Sequence, residues 1–211
     1  VLINALKSLG IWSGLFNGFL FGAVHQASTT SVVSINGAGN ATGTGTAARV
    51  GNTLNGTTDK YTYTGSAASA TVSAKTYVAV FADSNTGAGH VSHVLSAYGG
   101  GVSKGPAIYS GGSSISGSGA GTIKKVFGFA SVDGSASTPE LTIDGATQGQ
   151  PVYGVMRQQG GNLSLHVHGK SSTASALATQ WANTTSRAIG ANTGSSVFLA
   201  GTIYAAFDFD V

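Results

Sequence analysis

The stretch from Val197 to Val211 constrains the fold more than any other part of the sequence. Every odd position in it is apolar or glycine, whereas the even positions include Tyr204, Asp208 and Asp210. Because side chains alternate across a pleated strand, this pattern predicts a long strand with one continuous apolar row buried and the other row partly wet. A helical period would scatter the same residues around a cylinder. Such a strand belongs to a large antiparallel sheet that packs against a second sheet.

The composition limits the partners that such a protein can bind. Of 211 residues, 41% are hydrophobic and 8% are Asp, Glu, Lys or Arg, and there is no cysteine. A core of this size fits one domain, which must hold by packing without disulfides. A surface rich in hydroxyls and amides suits contact with copies of itself or with sugars. The formal charge is +3, but only Lys124 and Lys125 are adjacent, so we expect no nucleic-acid partner.

Residues 1–25 form the most apolar segment and precede a domain predicted over residues 26–211. Three interpretations are open for the segment: a signal peptide, a membrane span and a packing element. The uncharged run from Ser8 to Val24 is short for a bilayer and contains Asn17 and several glycines, so we expect no membrane span. As a packing element, the segment either completes the domain's own core or packs between subunits.

Glycines recur every four residues in this segment, from Gly10 to Gly22. On a helix they would form a ridge without side chains, along which another backbone approaches closely. Because glycine costs about 1 kcal/mol per site in a helix, the segment must gain its order from contacts. The candidate assembly residues are Trp12, Phe16, Phe19, Gly10, Gly14, Gly18 and Gly22.

The rest of the chain reads as about a dozen strands separated by glycine-rich turns, without a convincing amphipathic helix. Asn36-Gly37 and Asp144-Gly145 are turn signals, and the low-complexity stretch 37–46 predicts a loop. The predicted fold is all-β, a two-sheet antiparallel β-sandwich with an apolar N-terminal segment.

The clearest hairpin joins Val152–Arg157 to Leu163–His168 through a five-residue loop, Gln158 to Asn162. In its second arm the side chains alternate between two faces of the strand. We expect Leu163, Leu165 and Val167 on one face, and Ser164, His166 and His168 on the other.

Three motifs resemble a known family of concanavalin A-like (laminin G-like) jelly-roll domains, found in many phage virion proteins. The segment from Leu54 to Tyr61 is similar to the family's "FDG-x-x-DY" element. The segment from Val152 to Gly169 is similar to its hairpin that ends in "LYVNG", and Ile189 to Tyr204 to its closing "IG … F-x-G-x-I" strand. The resemblance covers roughly residues 50–211 and, loosely, residues 10–17.

The resemblance implies a two-sheet jelly roll, with sugar binding or virion assembly as common roles. His168 departs from the pattern, because the family usually has Asn there. The sequence also lacks the acidic rim that would carry calcium in the family, so we transfer no metal site and expect no cofactor.

The sequence gives little support to an enzymatic function. A glycosidase needs two carboxyl groups about 5 to 10 Å apart. Glu140 and Asp144 would lie roughly 13 Å apart along a strand, while Asp208 and Asp210, about 7 Å apart, are more simply the wet side of the last strand. No nucleophile elbow and no phosphate-binding loop is present in the sequence. We therefore expect no enzyme.

Two histidine pairs are candidate metal ligands that we interpret as solvated side chains instead. His166 and His168 would share an outward strand face, and His90 and His93 would join them only if loops brought the pairs together. An exposed pair on a strand is more often free of metal, so no metal is expected.

Two functions from different classes fit these observations. The first is a non-enzymatic structural protein, a self-assembling jelly-roll subunit of a virion (capsid decoration, tail or fibre) or of an extracellular assembly, with a homo-oligomeric, filament or capsid partner. The second is a lectin-like carbohydrate-binding module or adhesin, because an aromatic face plus amides suits sugar recognition. The candidate glycan-binding residues are Trp181, Tyr98, Tyr109 and Asn183.

Overall fold

A computed structural model describes residues 2–22, 26–28, 31–45, 52–65, 74–85, 91–96, 105–111, 123–131, 140–159, 162–175, 186–194 and 197–210. Within these residues there is one short helix, α1 (Leu2–Ser8), and a 3₁₀ turn (Trp12–Gly14). The strands are β1 (Leu15–Leu20), β2 (Gln26–Ser28), β3 (Ser31–Val33), β4 (Asn40–Thr44), β5 (Thr53–Asn55), β6 (Lys60–Thr64), β7 (Ala74–Asp83), β8 (Val91–Ser96), β9 (Gly105–Gly111), β10 (Ile123–Ser131), β11 (Glu140–Thr147), β12 (Val152–Gln159), β13 (Asn162–Val167), β14 (Lys170–Ser175), β15 (Ser186–Ile189) and β16 (Ala200–Phe209).

The strands form two antiparallel sheets that pack face to face, which confirms the predicted β-sandwich. The seven-stranded sheet has the order β1-β16-β7-β12-β13-β14, with β5 also paired to β16. The nine-stranded sheet has the order β11-β10-β9-β8-β15-β6-β4-β3-β2. Both sheets contribute inward side chains to one core, which includes Phe81, Met156 and Leu165 from the first sheet and Leu95 and Ile108 from the second. No helix among the described residues is long and apolar enough to cross a membrane.

The closing strand β16 lies in the seven-stranded sheet between β1 and β7, and a bulge interrupts its alternation. Ile203 pairs with Phe81, but the next partner of β7, Val80, pairs with Ala205, so Tyr204 is an extra residue. The carbonyl of Tyr204 accepts a hydrogen bond from the Phe21 amide (3.0 Å), which satisfies the displaced backbone.

This bulge overturns the prediction of one continuous apolar row. Before it, Ile203 points into the main core; after it, Ala206 takes the inward position, and the odd residues Phe207 and Phe209 join a second apolar cluster. Because a one-residue slip moves every later side chain to the opposite face, Asp208 points inward and is fully buried. The expectation that Asp208 lies on the wet side was therefore wrong.

The second apolar cluster lies on the outer face of the seven-stranded sheet and contains the N-terminal residues Leu6 and Leu15. Ile11 and Trp12 pack against it, whereas Phe19 and Phe21 reach the main core. Much of the N-terminal segment therefore packs on its own chain. The assembly of copies through this segment stays a prediction.

The four regularly spaced glycines do not form a helical ridge. Gly10 lies in the turn after α1, Gly14 ends the 3₁₀ turn, Gly18 lies in β1 and Gly22 in a bend. A Cβ at Gly18 would lie 2.8 Å from Cδ1 of Phe207, so this glycine makes room for that ring within the same chain.

Two local predictions also needed correction. The low-complexity stretch predicted as loop contains β4, whose Ala41 is fully buried. Asp144-Gly145 lies inside β11 at a register shift rather than at a hairpin turn, because Lys124 pairs with Ala146 and Lys125 with Asp144. Composition misled both times, since small and polar residues fit a strand when neighbouring strands bury its backbone.

The hairpin predicted from Val152 to His168 is confirmed, but its ladder of paired residues is longer than predicted. It extends to the pair Gln159 and Asn162, so the connection is shorter than five residues. The alternation of β13 is confirmed, with Leu163, Leu165 and Val167 buried. His168 lies just after the strand, in a turn with Gly169, and both have positive φ (46° and 77°).

The two motif segments before β6 and after β15 meet in the structure. The Asn55 side chain accepts hydrogen bonds from the amides of Thr57, Thr58 and Asp59 (2.9 to 3.1 Å), which fixes the β5–β6 turn. Gly190, with φ +81°, packs so closely that a Cβ there would lie 2.1 Å from Cδ1 of the buried Leu54.

We predict that Gly190→Ala destabilises the chain more than the matched variant Gly149→Ala. Both glycines have positive φ, which costs an alanine about 1–2 kcal/mol, but a Cβ at Gly149 has no heavy atom within 4 Å. Gly190→Ala adds overpacking against Leu54, about 1–3 kcal/mol more. Urea unfolding of both variants measures the difference, and equal losses would contradict the packing argument.

Candidate functional site

The outer face of the seven-stranded sheet is the candidate site, because its outward-pointing side chains form continuous rows. The register joins residues directly opposite one another across β1, β16, β7, β12, β13 and β14. One row is Leu15, Phe209, Thr76, Arg157, Ser164 and Thr173. The next row is Gly18, Phe207, Val78, Val155, His166 and Ser171.

Each row changes from apolar to polar along the same direction. On β1 and β16 the outward side chains are aliphatic and aromatic, and α1 covers them. On β13 and β14 they are hydroxyls and imidazole. Strand β12 lies at the boundary, with Val155 half-buried and Tyr153 and Arg157 exposed.

An apolar groove, here called the outer groove, occupies the first half of this face. It has a volume of about 570 Å³. Leu6 and Ile11 form one wall, and outward side chains of β16, β7 and β12 form the floor. Its other lining residues are Thr76, Val78, Val155, Arg157, Phe207 and Phe209.

The second half, here called the hairpin face, consists of Tyr153, Ser164, His166 and His168. Tyr153 is 41% exposed, among the most exposed large hydrophobic side chains described. The His168 ring contacts it in a T-shaped arrangement, with centroids 5.0 Å apart and planes at 76°. Because His168 is held at a tight turn, this contact fixes the Tyr153 ring against the sheet and leaves the rest of it exposed to solvent.

A buried ionic cluster lies on the inner side of the same strands, beneath the outer groove. Asp208 on β16 lies 3.8 Å from Nε of Arg187 and 4.0 Å from Nζ of Lys75, and all three side chains are nearly inaccessible to solvent. Lys75 also donates to the more exposed carboxylate of Asp210. Among the described residues, neither oxygen of Asp208 accepts a hydrogen bond.

Burial governs the protonation of this cluster. It raises the pKa of Asp208 to about 6, although the charges of Arg187 and Lys75 act in the opposite direction. Burial, followed by the charge of Asp208, also raises the pKa of the Tyr63 and Tyr77 hydroxyls, so both stay protonated. The cluster meets the surface at Asp210, whose side chain is 41% exposed.

Of the candidate glycan-binding residues, Tyr109 is the one that the structure describes. Tyr109 on β9 is fully buried and stacks on His93, with centroids 5.3 Å apart, so it offers no face to a ligand. Trp181, Tyr98 and Asn183 lie outside the described residues. Of the candidate assembly residues, Trp12 and Phe16 are half-buried and Phe19 is buried in the main core.

The candidate metal ligands are also separated. His93 is buried, which lowers its pKa to about 4, and His90 lies outside the described residues. His166 and His168 are exposed on the hairpin face. No group of three or more potential ligands forms among the described residues.

The functional candidate that residue-by-residue reasoning missed is Tyr153. The period-two pattern of the hairpin already places the Tyr153 side chain on the face of the strand opposite to that of the buried residues Val152 and Gly154. The contact with His168 could not be predicted from the sequence, because it depends on a turn that returns the chain across the end of β12.

Solved structures with the same fold include a Trypanosoma rangeli sialidase in complex with a difluoro-KDN compound. Its TM-score is 0.60 at 14% identity, over 94% of this chain and 30% of that one. The binding domain of botulinum neurotoxin serotype D has a TM-score of 0.61 at 11% identity, over 95% of this chain and 49% of that one.

A structure of botulinum neurotoxin type C, whose cell entry is described as dependent upon interaction with two ganglioside molecules, has a TM-score of 0.56 at 9% identity, over 96% of this chain and 49% of that one. The chain thus spans between about a third and a half of these proteins. No protein-family model and no curated protein matches the chain. At these identities the likeness shows the β-sandwich fold alone.

We predict a distinct pH dependence from Asp208. Its pKa is higher in the folded chain (about 6) than the ordinary value of 3.8, so its contribution to stability is full below pH 3.8 and is lost as pH rises through about 6. Asp208→Asn lacks this titration. The free energy of unfolding of the native chain minus that of Asp208→Asn should therefore fall across this range. Urea unfolding between about pH 3.5 and 7 tests this, and a difference that stays constant or rises would contradict it.

Proposed function

We propose that this chain is a non-enzymatic, lectin-like carbohydrate-binding module and that the glycan binds to the hairpin face. The exposed Tyr153 ring, backed by His168, is the observation that carries the proposal. A sugar presents C–H groups on one face of its ring and hydroxyls around its edge. An exposed aromatic ring contacts the C–H face, while imidazole and hydroxyl groups bond the edge.

The surroundings of Tyr153 support this chemistry. His166 is exposed on the adjacent strand, opposite Val155, and Ser171 lies opposite His166 on β14. These groups offer both donors and acceptors at a site that rests on regular strands. Because strands hold side chains more firmly than loops do, little conformational entropy is lost on binding.

The fold comparisons support the same carbohydrate-binding proposal. One neighbour of the fold was solved in a complex with a sugar-like difluoro-KDN compound, and another is described in terms of gangliosides. These are properties of those proteins. They favour a carbohydrate-binding role for this chain over a virion or other extracellular assembly, for which the packing of residues 2–22 on their own chain leaves less support.

We predict that Tyr153→Ala weakens glycan binding by about tenfold or more, since the lost ring contact corresponds to about 1.4 kcal/mol. Tyr153→Phe should retain most of the affinity because it keeps the ring. The test is a glycan array with the native chain, followed by calorimetric titration of the variants with the glycan that binds best.

The matched control is Val33→Ala, because Val33 is 40% exposed but lies on β3 of the other sheet. His168→Asn is a second variant: Asn tolerates the positive φ of 46°, so the turn is kept while the ring that supports Tyr153 is lost. An array without binding, or unchanged affinity of Tyr153→Ala, would disprove the proposal.

A further inference from the structure

We propose that the outer groove binds a fatty acid, with the alkyl chain along the apolar floor and the carboxylate on Arg157. This site is separate from the hairpin face and does not depend on glycan binding. Its volume of about 570 Å³ falls in the range of small-molecule sites.

The lining of the groove selects an alkyl chain. Among the residues that the structure describes, six of the eight that line the groove carry apolar side chains: Leu6, Ile11, Val78, Val155, Phe207 and Phe209. Thr76 is an uncharged polar member of the lining, and it lies between Phe209 and Arg157 in the same row. A ligand with hydroxyls along its length would leave them without partners here, whereas methylene groups lose nothing when they leave water.

The charge at the groove selects an anion. Arg157 is the one charged residue in the described part of the lining, which contains no carboxylate. Its side chain is exposed at the border strand β12, so the guanidinium group is accessible at one end of the apolar floor. Arginine holds a carboxylate through two parallel hydrogen bonds, a geometry that a neutral alcohol cannot match.

The burial of the groove floor favours a small molecule over a second copy of the chain. Phe207 and Phe209 are 9% and 5% exposed, so they are already mostly covered within the chain. A stable protein interface buries about 1,200 Å² or more, and contact with these two rings would contribute little of that area. An alkyl chain would lie between Leu6 and Ile11 on one side and Val155 on the other.

The experiment is calorimetric titration of the native chain with octanoate, decanoate and dodecanoate below their micelle concentrations, with 1-dodecanol as the neutral counterpart. Trp12 packs against the same apolar cluster, so its fluorescence provides a second readout. We expect the affinity to rise by about fourfold for each added methylene. We also expect dodecanoate to bind about tenfold more tightly than dodecanol.

Two variants distinguish the contribution of the alkyl chain from that of the carboxylate. Arg157→Gln should lower the affinity for dodecanoate about tenfold and leave the affinity for dodecanol unchanged. Val155→Asn, at a half-buried outward position, should weaken both by about tenfold. Lys60→Gln, on β6 of the other sheet, is the matched charge control, and circular dichroism confirms that each variant is folded.

The proposal fails if dodecanoate does not bind, if affinity is independent of chain length, or if neither variant changes it. A native dimer that Val155→Asn dissociates would equally overturn it, because the groove would then belong to an interface. Tyr153→Ala should leave dodecanoate binding unchanged, so failure of the glycan proposal and failure of this one give different results.

Discussion

The bulge at Tyr204 is the constraint on which both sides of the seven-stranded sheet depend. A regular strand would bury Phe207 and Phe209 in the main core and turn Asp208 to the solvent. The extra residue reverses this, because the strand after it presents its odd side chains outward and its even side chains inward. The apolar outer groove and the buried carboxylate beneath it therefore have one common cause.

The buried carboxylate would be destabilising if it were alone. Removing a charge from water costs several kcal/mol, which Coulomb attraction offsets only when opposite charges lie close. Arg187 and Lys75 supply those charges from the two sheets, so the cluster connects the layers at the end of the sandwich where β1 and β16 also pair. Separations of 3.8 and 4.0 Å exceed hydrogen-bond length, which explains why burial outweighs the partners and leaves the pKa of Asp208 raised.

Much of the fold was predictable from alternating burial, and the errors share one physical origin. The prediction of a hairpin from Val152 and Leu163 onward was correct, because its apolar and polar residues alternate without interruption. Where the chain inserts a residue, as at Tyr204, a period counted along the sequence continues past the insertion and assigns the wrong face. The strand at Ala41 and the register shift near Asp144 were missed because Gly, Thr and Asp signal turns in isolation, whereas their structure here follows from neighbouring strands.

The candidate site was harder to predict, because its residues come from segments that only the sheet order brings together. Sequence reasoning selected aromatic residues in loops, yet Tyr109 is in the core and Tyr153, inside a regular hairpin, carries the exposed ring. Alternation predicts which side chains leave the core, but not which strands lie beside one another. The order β16-β7-β12-β13 places Phe207, Val155 and His166 in one row.

That order also explains why one face carries two kinds of surface. Side chains on β16 and β7 are shielded by α1, so apolar residues there remove surface from water at roughly 25 cal/mol per Å². Strands β13 and β14 have no described helix above them, so their outward positions are polar. Strand β12 lies between the two environments, and its outward side chains are intermediate, with a half-buried valine flanked by an exposed tyrosine and an exposed arginine.

A ligand that reaches across β12 would therefore pass from an apolar surface, which suits methylene groups, to a polar surface, which suits hydroxyls. The change occurs within one strand spacing, about 5 Å. This short distance is the physical reason that the outer groove and the hairpin face are suited to different chemical groups while sharing one rigid support.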